Sequence, residues 1–457
     1  MNGTKNEEAQ SLDIKKIKPF LRTYIDLSYQ DYLSKKRPKK FHHYQKKRLQ
    51  KHLEKIVPKS PFYSRFVNES GKIVYDQFSI INKDVMMNEF DTLNTKRISL
   101  KQAKQVALKA EENRDFAPKI GTISVGLSSG TTGNQGVFLV SDQETIQWSA
   151  AMMKKAIDRR KFRGETIVIA FFMRANNNLY ETINQGKIRL HFFDLMNPID
   201  ENLARLDQLK PNVIVAQPSM LRLIAAFYGD HSLEYKLKEV FSIAEVLEEM
   251  DRAYIETSLS CRLKEIYQAT EGFLGISCHH GTLHLNEDIV FIEKEYLSET
   301  SNRFIPIITD LYRTTQPLIR YRHTDILIER KTPCPCGSSF IALEKIEGRE
   351  DDCFIFYVEN EAQIVFPDFI RYAIARSSDK ILQFQCIQQT KERIDLKLEL
   401  SSASSEQTII PIVIDQLNKV FPSSLQTRIN INVSIGNLTN EYGKKMRRVI
   451  SYVKRSD

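Results

Sequence analysis

The spacing of apolar residues changes twice along the chain, which indicates three regions. Up to about residue 75 the chain is polar with helical spacing, and from about residue 120 to 275 short apolar runs alternate with helical patterns. After about Gly348 strict alternation becomes prominent. We therefore expect a helical N-terminal extension at residues 1–75, a large domain at residues 76–348 and a small C-terminal domain at residues 349–457.

Four apolar runs in the middle region predict strands. The first, TIVIAFFM at residues 166–173, is apolar throughout, as in a strand that is buried on both faces. The others lie at residues 212–219, 239–245 and 263–272. Between them we expect helices, one capped by Ser219 and one near residues 250–257, and a further helix capped by Asp142 precedes the first run. This alternation predicts a parallel sheet with its ligand site beyond the carboxyl ends of the strands.

The C-terminal region predicts a small α+β domain. Residues 392–400 alternate, as in a half-buried strand, with one face formed by Ile394, Leu396, Leu398 and Leu400. A helix at residues 409–421 and a closing strand at residues 427–435 follow. The expected fold class is therefore α/β, a large N-terminal α/β domain with a small C-terminal α+β domain.

Length and composition agree with a globular protein of several domains. A chain of 457 residues exceeds what one core usually supports, and 42% hydrophobic with 27% charged residues is ordinary for such proteins. No run approaches the roughly 18 apolar residues of a membrane span. The polar start MNGTKNEEAQ does not resemble a signal peptide, so the expected location is cytoplasmic.

The net charge of +9 is concentrated near the N-terminus, where residues 35–55 carry ten Lys or Arg against one Glu. We interpret this segment as an amphipathic surface helix that begins after Pro38. Its predicted inward residues are Phe41, Tyr44, Leu49 and Leu53. A binding site for nucleic acid, for an acidic carrier protein or for a membrane surface is the alternative.

A loop rich in glycine and hydroxyl groups, LSSGTTGNQG at residues 127–136, is the strongest local signal. Its glycines allow tight turns that present backbone amides to an anion, and its hydroxyls add donors. We expect it between a strand and a helix. No Gly-Lys-Ser/Thr follows, so it is not a Walker loop, and a flexible linker is the alternative reading.

Further candidate residues lie at predicted strand ends and turns. Glu271 follows a strand in YQATEG and suits a magnesium ion near phosphates. RYRHTDI at residues 320–326 offers Asp325 for ribose hydroxyls and the guanidiniums of Arg320 and Arg322 for phosphate. GREDD begins at Gly348, and a basic segment, EYGKKMRR, occupies residues 441–448.

In this order the motifs resemble those of the adenylate-forming, acyl-CoA synthetase-like superfamily. The SPFY segment at residues 60–63 and the basic helix before it resemble the phenylacetate–CoA ligase and capsule-biosynthesis, CapK-like branch. This branch includes methanogen enzymes that adenylylate a deazaflavin. The resemblance spans roughly residues 30–450, and it implies an α/β domain of adenylate-forming type joined by a hinge to a small mobile domain.

The resemblance implies a role for each matching residue. The ATP phosphates would be held by Ser128, Ser129, Gly130, Thr131, Thr132 and Gly133. The adenine and α-phosphate would lie beside Ala244, Glu245, Tyr267, Gln268, Ala269 and Thr270. Glu271 would hold Mg²⁺, Asp325 would bind the ribose with Arg349 nearby, Asp351 would be the hinge, and Lys444 would contact the reacting carboxylate and α-phosphate.

Three segments depart from the family pattern or leave a role open. The phosphate loop usually carries a lysine near its end, where this chain has Asn134 and Gln135. Thr324 stands where a glycine is common. Lys445 adjoins Lys444, so either lysine can be the mobile one.

Four residues are candidates for a structural zinc site, since zinc prefers four N or S ligands. They are Cys278, His284, Cys334 and Cys336. His279 or His280 can replace His284 in this set, and cysteines without metal are the alternative reading.

The expected function is ATP- and Mg²⁺-dependent activation of an aryl or acyl carboxylic acid, followed by transfer to CoA or a carrier protein. An adenylyltransferase and a nucleotide-binding protein without catalysis are the alternatives. Phenylalanines 138, 171, 172, 192 and 193 either line an acyl pocket or belong to the core. We expect no nucleic-acid partner, and a homodimer stays open.

Overall fold

The computed structural model describes most of the chain. The described residues are 14–113, 115, 117–128, 135–158, 161–162, 164–173, 187–230, 233–359, 361–401, 406–426, 428–438 and 446–454. Five residues predicted to hold phosphates, Ser129 to Gly133, lie outside this set, and so does Lys444.

Two long helices begin the described chain, α1 (Ile14–Lys36) and α2 (Pro38–Ile56). The amphipathic surface helix predicted after Pro38 is confirmed, because Phe41, Leu49 and Leu53 are buried while Tyr44 is partly buried. Shorter helices follow: α3 (Pro61–Ser64), α4 (Lys83–Asn88), α5 (Phe90–Leu93) and α6 (Leu100–Asn113).

A small antiparallel sheet carries the loop rich in glycine and hydroxyl groups. Its strands are β1 (Lys119–Ile120), β2 (Ile123–Leu127) and β3 (Val137–Ser141), and helix α7 (Asp142–Ala156) follows. The loop therefore connects two strands, and the predicted position between a strand and a helix was wrong. The cap of α7 is Ser141, not Asp142, because Ser141 and Glu144 form a reciprocal capping box.

Five parallel strands form one part of the large sheet; the sequence predicted four of them, and β5 at residues 188–194 was not among the predicted strands. They are β4 (Ile167–Met173), β5 (Ile188–Asp194), β6 (Val213–Ala216), β7 (Glu239–Ile243) and β8 (Leu263–Ala269). The intervening helices are α8 (Ile199–Leu209), α9 (Pro218–Asp230) and α10 (Glu249–Leu259). The carboxyl ends of β6, β7 and β8 consequently lie side by side.

Seven antiparallel strands complete the same sheet. They are β9 (Gly272–Ser277), β10 (Leu283–Leu285), β11 (Val290–Tyr296), β12 (Arg303–Asp310), β13 (Tyr321–Arg322), β14 (Asp325–Glu329) and β15 (Ala342–Arg349). The strand order is β11-β12-β14-β15-β10-β9-β8-β7-β6-β4-β5, and β13 pairs with β12. In this order β9 and β10 lie between β8 and β15, and β14 is next to β15.

The C-terminal elements form a separate small α+β domain with its own apolar core. They are β16 (Phe354–Val358), β17 (Glu361–Val365), α11 (Pro367–Ser377), β18 (Ile381–Gln388), β19 (Arg393–Leu400), α12 (Glu406–Asn418), β20 (Asn430–Ile435) and β21 (Val449–Ser451). The predicted closing strand is β20, but β21 follows it and pairs in parallel with β18. The exact boundaries at residues 75 and 348 stay a prediction.

Across the described ranges, no helix is both long enough and apolar enough to span a lipid bilayer.

Candidate functional site

The candidate site is a cavity of about 1730 Å³ between the carboxyl ends of the parallel strands and the C-terminal domain. Loops that follow such ends present polar groups without disturbing the sheet. The residues predicted for nucleotide binding that line it are Ser128, Ala244, Glu245, Tyr267, Gln268, Ala269, Thr270, Glu271, Asp325 and Arg349. The fold therefore brings together segments that are up to 220 residues apart.

The turn after β7 has a strained backbone. Ala244 has a φ of +67°, a conformation that is uncommon for a residue with a Cβ atom, and the Glu245 amide donates to the Ile243 carbonyl at 2.8 Å. The Glu245 carboxylate accepts hydrogen bonds from the backbone and hydroxyl of Ser219 at 3.2 and 3.0 Å. These contacts hold the turn predicted to pass the adenine in one conformation.

Tyr267 links β8 to the strand that carries Asp325. Its buried hydroxyl donates a 2.6 Å hydrogen bond to Asp325 Oδ2. Burial and the Asp325 charge raise the pKa of Tyr267 well above its ordinary value, so the hydroxyl remains a donor. The neighbouring Gln268 accepts from the indole of Trp148 at 3.3 Å, and the Thr270 carbonyl accepts from Arg313.

Glu271 is a charged carboxylate in the wall of the cavity. The Tyr321 hydroxyl donates to Glu271 Oε1 at 3.0 Å, and His323 Nε2 lies 3.8 Å from Oε2. Burial alone would raise the pKa of Glu271, but His323 and the hydrogen bonds outweigh it and lower the pKa to about 2. An ionised carboxylate oxygen at this point fits the oxygen-ligand preference of Mg²⁺.

Asp325 and Arg349 are direct partners on neighbouring antiparallel strands. Arg349 Nε lies 3.7 Å from Asp325 Oδ1, and His323 Nδ1 lies 3.2 Å from Oδ2. Burial opposes ionisation of Asp325, but His323 and Arg349 hold its pKa below the ordinary value. Asp325 therefore presents negative charge, as recognition of ribose hydroxyls requires.

The guanidiniums of Arg320 and Arg322 have carboxylate partners, and their role at phosphate stays a prediction. Arg320 binds the carboxylate of Glu293 at 2.9 Å, and Arg322 binds Glu295 at 2.8 Å. Both arginines thus hold the segment around β13 against β11. His323, which lies two positions before Asp325 in the same motif, was not among the predicted site residues.

Lys83 is a second residue that the sequence analysis missed. It begins α4 and lines the cavity, and a Cβ atom added to Gly136 would lie 3.3 Å from its Cε. Burial lowers the pKa of Lys83, whereas the charge of Glu271 opposes that shift. The ammonium therefore lies beside the end of the hydroxyl-glycine loop, where the family has a lysine and this chain has Asn134 and Gln135.

The base of the hydroxyl-glycine loop is closed by two hydrogen bonds. The Ser128 amide donates to the Gly136 carbonyl at 2.8 Å, and the Gly136 amide donates to Ser128 Oγ at 2.7 Å. The segment between them lies outside the described residues.

Polar groups of the C-terminal domain contact the rim of the cavity, and those of Met446, Arg448 and Arg371 reach the segment around α10. The Met446 amide donates to Glu245 Oε1 at 3.0 Å, Arg448 binds Asp251 at 2.8 Å, and Arg371 Nε lies 3.0 Å from Glu248. Met446 follows Lys444 by two residues in the chain. The contact connects Met446, one of the three described residues of the basic segment, to the turn predicted to pass the adenine.

The four predicted zinc ligands come together at the edge of the large domain, with their N and S atoms within 4.8 Å of one another. Cys278 Sγ lies 3.7 Å from Cys334 Sγ, and Cys336 Sγ lies 3.4 Å from His284 Nε2. Zn–S bonds of about 2.3 Å give tetrahedral edges of about 3.8 Å, so the donor set fits zinc. His284 Nδ1 lies 3.1 Å from the Phe340 carbonyl, which orients Nε2 toward the cysteines. His279 and His280 do not belong to this cluster.

Comparisons with known proteins show which proteins the chain resembles in sequence and in fold. No family model matches the chain. Protein CapK of Staphylococcus aureus is 24% identical over 390 residues, which cover 80% of each protein.

Two solved structures show the fold. A 2-hydroxyisobutyryl-CoA ligase in the postadenylation state, with R3-HIB-AMP, matches 88% of both chains with a TM-score of 0.65 and 17% identity. The GH3.15 acyl acid amido synthetase matches 85% of this chain and 84% of its own, with a TM-score of 0.56 and 10% identity. The resemblance to the adenylate-forming superfamily is therefore confirmed at the level of the fold, and the branch stays a prediction.

Proposed function

We propose that this chain, which has the fold of the adenylate-forming enzymes, uses ATP to convert a carboxylic acid into an acyl-adenylate and pyrophosphate. The acyl group then passes to a thiol, of CoA or of a carrier protein. The observation that carries the proposal is the convergence of Lys83, Glu271, Asp325 and Arg349 in one cavity at the carboxyl ends of the sheet.

The charges in the cavity suit the reaction. A carboxylate oxygen attacks the α-phosphorus of ATP, the bond to the bridging oxygen of pyrophosphate breaks, and negative charge builds on both sides. The Lys83 ammonium can neutralise the leaving phosphates. Glu271 would hold Mg²⁺, which would supply further positive charge to the phosphates.

The nucleoside is assigned to the turn after β7 and the start of β14. The backbone around Ala244 and Glu245 would pass the adenine, while Asp325 accepts hydrogen bonds from the ribose hydroxyls. Tyr267 and Arg349 hold the Asp325 carboxylate in place from two sides. The groups that hold the adenine and the ribose do not contact the departing pyrophosphate. They therefore keep the acyl-adenylate bound for the second step.

Lys444 is proposed to contact the reacting carboxylate and the α-phosphate. Support comes from Met446, whose amide binds Glu245 at the cavity. Lys444 precedes Met446 by two residues in the sequence and itself lies outside the described residues. Asp351 is the proposed hinge, and the adjacent Asp352 binds Arg447, which ties the hinge to the same basic segment.

The acyl pocket is proposed to lie beside Phe138 and Phe171. Both side chains line the cavity, whereas Phe172 and Phe193 stack on each other at 4.5 Å in the core beneath α8 and α9. Phe138 and Phe171 can therefore contact a substrate, whereas Phe172 and Phe193 belong to the core. An apolar wall of this kind suits an aryl or acyl chain.

We also propose that Cys278, His284, Cys334 and Cys336 bind a structural zinc ion. All four ligand positions are filled by protein atoms, which leaves no open coordination position for catalysis. The ion would join the β9–β10 turn to the segment before β15. That segment lies next to the N-terminal helix α1, because the hydroxyl oxygens of Ser34 and Ser338 are 3.4 Å apart.

Pyrophosphate release is the test of the proposed function. The wild type, Lys444→Ala and Lys445→Ala are assayed with ATP and Mg²⁺ against a panel of aryl and fatty acids. We expect release with at least one acid, loss in Lys444→Ala and retention in Lys445→Ala. Adding CoA then distinguishes a ligase, which forms a thioester, from an adenylyltransferase. Binding of ATP without release by any acid would contradict catalysis.

A further inference from the structure

The positive charge of the chain is concentrated on α1 and α2. Residues 14–56 carry fourteen Lys or Arg against three Asp or Glu, so their charge of +11 exceeds the +9 of the whole chain. Among residues 17–56, eleven Lys or Arg are exposed, and Glu54 is the single exposed acid. These two helices therefore form a basic surface on an otherwise slightly acidic protein.

An exposed apolar stripe runs along the same surface. Leu21, Ile25, Tyr29 and Tyr32 are 51, 65, 50 and 49% exposed, respectively. Their spacing of four, four and three residues places them on one face of α1, over a length of about 17 Å. A different face of α1 holds the helix to the protein, because Leu27 and Leu33 are buried in apolar clusters.

The stripe and the basic residues belong to one continuous face. The rings of Tyr29 on α1 and Tyr44 on α2 are in edge contact, with centroids 5.6 Å apart. Lys18 and Lys36 are exposed just before and just after the stripe, at helical spacing from Leu21 and Tyr32. The surface thus has an apolar centre with cations at its edges.

We propose that this face binds the surface of an anionic lipid bilayer, with α1 lying parallel to the membrane plane. The lysine and arginine side chains form ion pairs with lipid phosphates, and Leu21 and Ile25 insert into the apolar region beneath the headgroups. Lysine stems at the edges of the stripe extend their ammonium groups toward the phosphates. A nucleic-acid backbone offers the same phosphates but no continuous apolar phase for the aliphatic side chains, so the stripe favours lipid.

This binding mode is peripheral, and it does not depend on the proposed catalytic function. It brings the whole chain to a membrane surface without inserting a helix across it. Because electrostatic attraction contributes, binding must weaken as salt concentration rises.

Flotation of the full chain with vesicles tests the proposal. Vesicles of phosphatidylglycerol and phosphatidylcholine are compared with vesicles of phosphatidylcholine alone. Two variants probe the face, Leu21→Ser/Ile25→Ser and Lys39→Gln/Lys40→Gln/Lys47→Gln. Their matched controls lie on the exposed face of α6, Leu108→Ser and Lys101→Gln/Lys104→Gln/Lys109→Gln. We expect binding to anionic vesicles alone, a drop of roughly tenfold or more in each face variant, and little change in the controls.

A second readout measures insertion of the stripe directly and does not depend on the serine and glutamine variants. In Tyr29→Trp, brominated lipid chains in anionic vesicles should quench fluorescence beyond the contribution of Trp148. Three results overturn the proposal: no binding to anionic vesicles at low salt, equal losses in face and control variants, or binding of RNA without binding of vesicles. Conversion of a dimer to a monomer by Leu21→Ser/Ile25→Ser, seen by light scattering, would assign the stripe to a second copy of the chain instead.

Discussion

The carboxylate of Asp251 in the large domain accepts a 2.8 Å hydrogen bond from Arg448 in the C-terminal domain. Its other oxygen accepts from Arg222 on α9, also at 2.8 Å. Asp251 and Arg448 are both buried, so the pair forms only while the two domains are in contact. The pair therefore stabilises the arrangement in which Met446 and Arg448 contact the rim of the cavity.

Arg448→Gln should impair the first half-reaction more than the second. Asp251 keeps Arg222 as a partner, so the variant should fold while the docked arrangement loses a buried charge pair. We expect pyrophosphate release to slow by roughly tenfold or more, as loss of about 1.4 kcal/mol implies. Transfer from a synthetic acyl-adenylate to the thiol acceptor should change little.

Arg393→Gln is the matched control for that experiment, because Arg393 pairs with Asp395 on the surface of the C-terminal sheet. It should leave both half-reactions near the wild-type rate. Equal slowing of both half-reactions by Arg448→Gln would show that the pair serves the stability of the chain and not domain docking.

Lys83→Ala should weaken binding of ATP but not of AMP. The ammonium lies beside the end of the hydroxyl-glycine loop, so its removal takes positive charge from the outer phosphates and leaves the nucleoside contacts intact. A hydrogen bond to a charged group contributes about 1.5–3 kcal/mol, which corresponds to a loss of about 10- to 150-fold in ATP affinity. Titration calorimetry with each nucleotide measures the difference.

Lys83→Arg tests whether charge alone suffices, and it should retain part of the ATP affinity. Lys101→Ala, an exposed lysine on α6, is the control. If ATP and AMP weaken equally in Lys83→Ala, Lys83 supports the fold of the site and does not bind phosphate.

The positions of Glu271 and Asp325 at strand ends were predictable from the sequence, because each residue lies inside one short motif. Glu271 follows strand β8 by two residues, and Asp325 begins strand β14. Their order along the chain was enough to indicate the fold class. The motifs do not indicate which groups donate hydrogen bonds to each carboxylate. The hydrogen bond from Tyr267 to Asp325 is an example, because the two residues belong to different motifs.

Lys83 was not predictable for a different physical reason. It joins the site through a contact between segments that are about 240 residues apart, in which Ile81 pairs with Tyr321. No local pattern near residue 83 reports that contact. Likewise, two neighbouring arginines such as Arg320 and Arg322 are typical of a phosphate site. The glutamates that bind them lie on β11, and only the folded chain brings the two segments into contact.

Removal of one cysteine from the proposed zinc site should cost both metal and stability. We expect about one zinc ion per wild-type chain by elemental analysis, and a loss of most of it in Cys334→Ser. Because a structural zinc ion stabilises the folded state, the melting temperature should fall in the variant and in wild type treated with a chelator. Cys261→Ser, outside the cluster, should keep the metal, and wild-type protein free of zinc with an unchanged melting temperature would contradict the site.

His52 should make the stability of the chain depend on pH in mildly acidic solution. It is buried on α2, and burial, with Lys55 and Arg48 nearby, lowers its pKa from 6.5 to about 3. Between these two values the unfolded chain binds a proton that the folded chain excludes. Stability therefore falls as pH falls from 6.5, by about 1.4 kcal/mol per pH unit from this group.

His52→Leu removes this group, so the variant should gain stability relative to wild type as the pH is lowered from 6.5 to 5. Urea unfolding at several pH values gives the difference in free energy of unfolding, in which the contributions of the other groups largely cancel. His42→Leu makes the same change at an exposed position of the same helix. Two results would show that burial of His52 does not govern the acid sensitivity: a difference for His52→Leu that stays constant across this range, or a slope of equal size in His42→Leu. The penalty arises only when folding removes a protonatable ring from water, and the ring of His42 stays exposed.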